Sequence, residues 1–120
     1  GHAERAQLVR EFKAWFGDYE VLLTPTMPTV APPVDTVYHS VEFDRWEHAV
    51  PFTVPFNLTG QPAGTIPVGM HPLGLPIGLQ VVGDHWGEAA VLRVMRAVEA
   101  ATGWQWPHPD LATQLARLPD

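Results

Sequence analysis

The sequence predicts an α/β chain running helix, strand, short helices, β-hairpin, helix. Three observations predict it. Apolar residues recur at helical spacing over residues 3–16 and again ahead of Gly103. A two-residue alternation runs through Thr65–Met70 and Ile77–Val82, with a turn between them. Val21-Leu22-Leu23 is apolar at every position, the pattern of a strand buried on both faces between helix layers, as in a parallel or mixed sheet.

The first helix is expected over residues 3–16. Leu8, Val9, Phe12, Trp15 and Phe16 share one face, while Glu4, Arg5, Arg10, Glu11 and Lys13 take the rest. Gly17 then offers a left-handed stop. The strand at Val21–Leu23 is expected to end near Thr24, because the Pro-rich run Thr24-Pro-Thr-Met-Pro-Thr-Val-Ala-Pro-Pro33 cannot donate to a ladder. That run should leave the strand as a stiff, extended loop. A short helix over Val41–Ala49 would turn Phe43 and Trp46 inward, and a helical turn over Phe52–Thr59 would close at Gly60. In the hairpin, Ile66, Val68 and Met70 are expected on one face, with Pro67 marking an edge or a bulge. His71-Pro-Leu-Gly74 reads as its turn. The last long helix is expected to open at Asp84 or His85, with Val91, Val94, Met95 and Val98 as its apolar stripe. A tail from Trp104 holds Pro107, Pro109 and a candidate short helix over Leu111–Leu118. The whole chain, 1–120, reads as a single segment.

Bulk properties narrow the function. The 120 residues allow one modest core, and 46% apolar content argues against disorder throughout. A formal charge of -6 without a basic cluster would repel phosphate backbones, so no nucleic-acid partner is expected. No apolar run approaches the roughly 20 residues that span a bilayer. With Cys 0, disulfides, thiolate metal sites and a cysteine nucleophile are excluded, and a cytoplasmic location is expected. Gly1-His2 reads as a tag remnant, so the native start is expected elsewhere. His2, His39, His48, His71, His85 and His108 lack one-face ligand spacing, so neither a metal nor another cofactor is implied. His85 reads as an exposed residue near a helix start. Trp15 reads as core, and Trp86, Trp104 and Trp106 as core or interface.

Nucleophilic chemistry has little to draw on. Ser40 and Lys13 are the only serine and lysine, and neither sits in a nucleophile elbow or a Ser-x-x-Lys motif. Both read as solvent-exposed.

The remaining signal lies in three glycine- and proline-rich segments. They are Asp18-Tyr-Glu-Val-Leu-Leu-Thr-Pro-Thr-Met-Pro28, Pro55-Phe-Asn-Leu-Thr-Gly-Gln-Pro-Ala63 and Gly74-Leu-Pro-Ile-Gly-Leu-Gln-Val-Val-Gly83. In this order and spacing they resemble the C-terminal consensus of the amidase signature family, from Asp18 to about Glu99. The resemblance implies the C-terminal part of an α/β/α sandwich around a large mixed sheet, with this region supplying late strands and outer helices. It also implies carboxamide hydrolysis by a Ser–cis-Ser–Lys triad carried in a Gly/Ser-rich segment. Nothing here matches that segment, so no catalytic residue carries over. The implied partners are the missing N-terminal catalytic portion of the same enzyme and a small-molecule amide substrate. The amidating subunit of a tRNA-dependent amidotransferase belongs to the same family.

A substrate cleft bordered by Thr24, Thr26 and Asn57 is the functional expectation, since loops leaving strand ends carry function in α/β sheets. The alternative is that Asn57 caps a turn and Gln80 satisfies neighbouring backbone. A different reading of the whole chain is a non-catalytic module that self-associates as a homodimer, burying an open sheet edge.

Overall fold

The computed structural model describes residues 1–33 and 50–105. The expected helices over Val41–Ala49 and Leu111–Leu118, together with Ser40 and Trp106, lie outside the described residues. The elements are α1 (His2–Phe16), β1 (Val21–Pro25), α2 (Val54–Thr59), β2 (Ala63–Met70), β3 (Pro76–Gly83) and α3 (Glu88–Thr102).

The strands form one sheet in the order β1-β3-β2. Both pairings are antiparallel. Val21–Leu23 pairs antiparallel and is not buried on both faces, as its apolar composition suggests it would be. β1 lies at an edge of the described sheet, and Leu23 stays 50% exposed. An apolar run reports the environment a strand can tolerate, not the neighbours this stretch of chain provides. β1 also runs one residue past Thr24 to Pro25, opposite Leu79. An edge strand tolerates a missing donor there.

Antiparallel register places opposed residues on the same face. Leu22, Val82 and Ala63 therefore share one face with Thr24, Gln80 and Thr65. Val81, Gly64, Leu79 and Ile66 occupy the other. α3 covers that second face over β2 and β3. It comes close because Gly64 has no side chain: a Cβ there would run into the Met95 sulfur and crowd its terminal methyl. The expected stripe of Val91, Val94, Met95 and Val98 is accordingly buried or half-buried.

α1 and α2 cover the apolar half of the first face. Phe16, Phe56 and Val82 are buried together, with Phe12 and Leu22 packed against them. The Phe12 and Phe56 rings meet at 5.2 Å and 58°. Arg5 of α1 donates from Nε to the Leu58 carbonyl at 2.6 Å, satisfying an end of α2 that its own helix cannot. Gly60 then terminates α2 in the left-handed region at φ 76, as its position after Thr59 suggested.

Several local expectations change. Gly17 ends α1 at φ -58, in the right-handed region, so the helix stops without a left-handed residue. Trp15 is 39% exposed, and its ring stacks on Tyr19 at 4.5 Å instead of entering the core. The hairpin turn forms as expected, with Gly74 N–H donating to the His71 carbonyl at 2.8 Å. A register shift between Pro67 and Gly69 puts Met70 opposite Pro76, on the face away from Ile66. One extra residue in a strand inverts every later side chain, which is why Ile66 is buried and Met70 is exposed.

α3 opens at Glu88 with Gly87 as its cap, three or four residues after the expected Asp84 or His85. Asp84 instead closes a tight turn: its carboxylate accepts the His85 N–H and its carbonyl accepts the Gly87 N–H, each at 2.8 Å. Within that turn Trp86 adopts φ 66 and is 91% exposed. Glu88 still sits in the first helical turn, where a negative charge is favoured.

Candidate functional site

The first sheet face changes character along its strands. Row by row, Leu22-Val82-Ala63 is apolar and Thr24-Gln80-Thr65 is polar. Thr26 adds to the polar end, its N–H bonded to the Gly78 carbonyl at 3.0 Å.

Thr26, one residue past β1, and Thr65 of β2 lie on either side of β3, on segments that do not pair with each other. Their hydroxyls nevertheless lie 3.0 Å apart, arched over the middle strand. Gly78 makes this possible, because a Cβ there would stand 2.8 Å from Thr26 Oγ1 and 3.2 Å from Thr65 Cγ2. Gln80 lies beneath, 4% exposed. Its Nε2 donates to Thr24 Oγ1 at 2.8 Å and to the Phe52 carbonyl at 2.7 Å. Thr24 in turn donates to the Pro25 carbonyl at 3.0 Å.

Thr24 and Thr26, expected from the sequence, both stand at this polar end, Thr24 bonded to Gln80 and Thr26 to Thr65. Asn57 is not joined to them by any described hydrogen bond. It sits on α2 with an exposed side chain, so it is not a polar group in apolar surroundings. Gln80 does satisfy backbone, as its alternative reading held, and holds a threonine as well. Thr65 was missed. Its only signal was a polar residue in an alternating strand, which normally means solvent.

A second polar group lies where α2 meets the turn before α3. His85 Nε2 is 2.9 Å from the Thr59 carbonyl. A carbonyl only accepts, so the imidazole donates from Nε2 and turns Nδ1 toward Asp84 Oδ1, 3.5 Å away. His85 is therefore half-buried and structural, not the exposed residue its position near a helix start suggested. Next to it, Thr59 Oγ1 is 2.8 Å from Gln61 Oε1 and 3.0 Å from the Pro55 carbonyl. One hydroxyl proton can serve only one of these acceptors at a time. Gln61 Nε2 is buried with no partner among the described residues.

An apolar groove of about 380 Å³ is lined by Leu8, Glu11, Phe12, Trp15 and Leu22, and by none of the three expected site residues. Among the described residues there is no group of three or more potential metal ligands. None of their helices is long and apolar enough to cross a membrane. They also include no serine, and Lys13 is exposed on α1. The hydroxyl and carboxamide cluster offers donors and acceptors to a polar ligand. It contains no nucleophile paired with a base.

The fold is thus an antiparallel α/β unit with helices on both faces and a polar row at one end of its sheet. Residues 1–92 match the family model described as Amidase, and the chain belongs to that family, the amidase signature enzymes. It is 36% identical over 107 residues to a glutamyl-tRNA(Gln) amidotransferase subunit of Halothermothrix orenii, a match covering 89% of this chain and 22% of that protein. It is 41% identical over 102 residues to a fatty acid amide hydrolase of Medicago truncatula, covering 82% of this chain and 17% of that one. The crystal structure of the corresponding glutamyl-tRNA(Gln) amidotransferase subunit from Thermotoga maritima superposes with a TM-score of 0.70 at 32% identity, over 79% of this chain and 20% of that one. The chain spans about a fifth of the length of the curated relatives it matches.

Proposed function

We propose that this chain is the C-terminal portion of an amidase, adding three strands to the sheet and one wall to the substrate cleft. The observation that carries the reading is the family match over residues 1–92 by a chain spanning only 22% of a full-length relative. The reaction would be hydrolysis of a carboxamide C–N bond through a serine acyl-enzyme. The serine and its Ser–Lys partners would come from the N-terminal portion of the same protein, since the only serine here, Ser40, has no base spaced to serve it. Thr24 and Thr26 would line the cleft from the end of β1, and Asn57 would flank it from α2. The exposed carboxamide of Asn57 and the Thr26 and Thr65 hydroxyls are suited to hydrogen-bonding an amide. The acidic chain and its lack of cysteine support a cytoplasmic enzyme.

The chain alone is expected to be inactive. Fluorophosphonate labelling with intact-mass readout tests this, alongside hydrolysis of a panel of small carboxamides. No adduct on this chain, with an adduct and turnover on the full-length protein, is the expected result. An adduct at Ser40 of the isolated chain overturns it.

A second reading makes the parent protein the amidating subunit of a tRNA-dependent amidotransferase. The likeness to the Halothermothrix orenii protein favours it. Activity that requires glutamyl-tRNA, with simple amides left intact, would decide for this reading. Self-association of the isolated chain through its open β1 edge, where Leu23 is exposed, would be read by sedimentation.

A further inference from the structure

We propose that Gln80 is a positioning residue for the substrate cleft, fixing two of its wall segments against each other through one carboxamide. This rests on the amidase reading above. One segment is the end of β1 with Thr24 and the loop that follows. The other is the turn at residues 50–53 that feeds α2 and Asn57. Among the described residues no backbone hydrogen bond joins the two. Gln80 joins them from β3, directing one Nε2 proton to Thr24 Oγ1 at 2.8 Å and the other to the Phe52 carbonyl at 2.7 Å.

The choice of side chain is informative. Val82, two residues along on the same face, fills its place with hydrocarbon and is fully buried. An apolar residue at 80 would bury as well, but it would leave the Phe52 carbonyl without this donor and Thr24 free to rotate. A carboxamide supplies two donors on one planar nitrogen, so it holds both partners at a fixed angle. The Thr24 hydroxyl passes the restraint on to the Pro25 carbonyl at 3.0 Å, at the root of the Pro-rich loop. The distances along the chain are long: Gln80 reaches back 56 residues to Thr24 and 28 to Phe52.

The test uses the full-length protein that carries this segment, with small carboxamides as substrates and kcat and KM measured separately. Gln80→Met keeps the reach and removes both donors. Gln80→Glu keeps the shape, offers no donor when ionised and regains one when protonated. Thr24→Val breaks only one arm. The expected result is a KM raised about tenfold in Gln80→Met, with kcat changed less and a smaller shift in Thr24→Val. Gln80→Glu should match Gln80→Met at high pH and move toward the wild type as pH falls. Hydrogen exchange should quicken at residues 24–28 and 50–54 in Gln80→Met. A KM equal to the wild type at equal folded fraction overturns the proposal, as does a Gln80→Glu pH profile parallel to that of Gln80→Met. If the wild type hydrolyses no carboxamide, the amidase reading fails instead. Hydrogen exchange then decides the positioning role, and unchanged protection in both segments sinks it.

Discussion

Two halves of one sheet face are built from the same three strands and do different work. At one end Leu22 and Val82 meet Phe12, Phe16 and Phe56, and the cohesion is non-directional burial. One row further, Thr24, Gln80 and Thr65 are held by hydrogen bonds that fix angles as well as distances. The apolar half should therefore govern stability. The polar half should govern the placement of the segments around it. Burial of a phenylalanine is worth several times the net contribution of one hydrogen bond, so the two halves are separable by experiment.

The largest effect should come from the apolar half. Phe56→Ala removes a buried ring that touches Phe12, and should cost about 3–5 kcal/mol, enough to unfold a marginal domain. Thermal melts followed by circular dichroism would show it, and a melting temperature within a few degrees of the wild type would break the comparison. Gly78→Ala comes next. Its methyl would press on Thr26 and Thr65 and separate their hydroxyls, at about 1–3 kcal/mol. Denaturant titration would register that cost, and NMR shifts confined to Thr26, Thr65 and their neighbours would show that it stays in the polar half.

Gln61→Leu should be nearly neutral, within about 1 kcal/mol. It gives up one contact with Thr59 but removes a buried Nε2 that has no partner among the described residues. A loss of several kcal/mol would reveal a partner for that nitrogen and a polar network deeper than the one described. Thr65→Val should be the mildest change, at about 0.5 kcal/mol or less, because the pair sits at exposed Thr65 and the half-buried Thr26 hydroxyl can turn to water instead. If Thr65→Val proved as costly as Gly78→Ala, the polar row would be contributing stability in its own right and the division between the halves would fail.

How much of this could be read from the residues alone differs from element to element. The helix over residues 3–16, the α2 turn closed by Gly60, the hairpin turn at His71–Gly74 and the end of α3 at Gly103 were all legible. Each depends on contacts within a few residues or on a glycine that alone takes a left-handed backbone readily. The start of α3 was misplaced because Asp84 suits a helix cap and a tight turn equally well, and the sequence does not separate the two. Met70 was assigned to the wrong face because Pro67 signalled a bulge without saying which residue the ladder would skip. Of the polar row, the positions of Thr24 and Thr26 at a strand end were legible, while their part in a cleft is our proposal. The place of Thr65 was not legible, since its neighbour across the sheet is 39 residues away.

The sequence by itself determined the family and most of the local elements, through spaced motifs and periodicity that operate over short stretches of chain. Only the tertiary structure decided that Val21–Leu23 lies at an edge of the described sheet, that His85 holds Thr59, and that one glutamine clamps Thr24 to Phe52. Those outcomes depend on which distant residues share a strand row or a helix end. That is a matter of register and packing, and a polar side chain carries no mark of which partner it will meet.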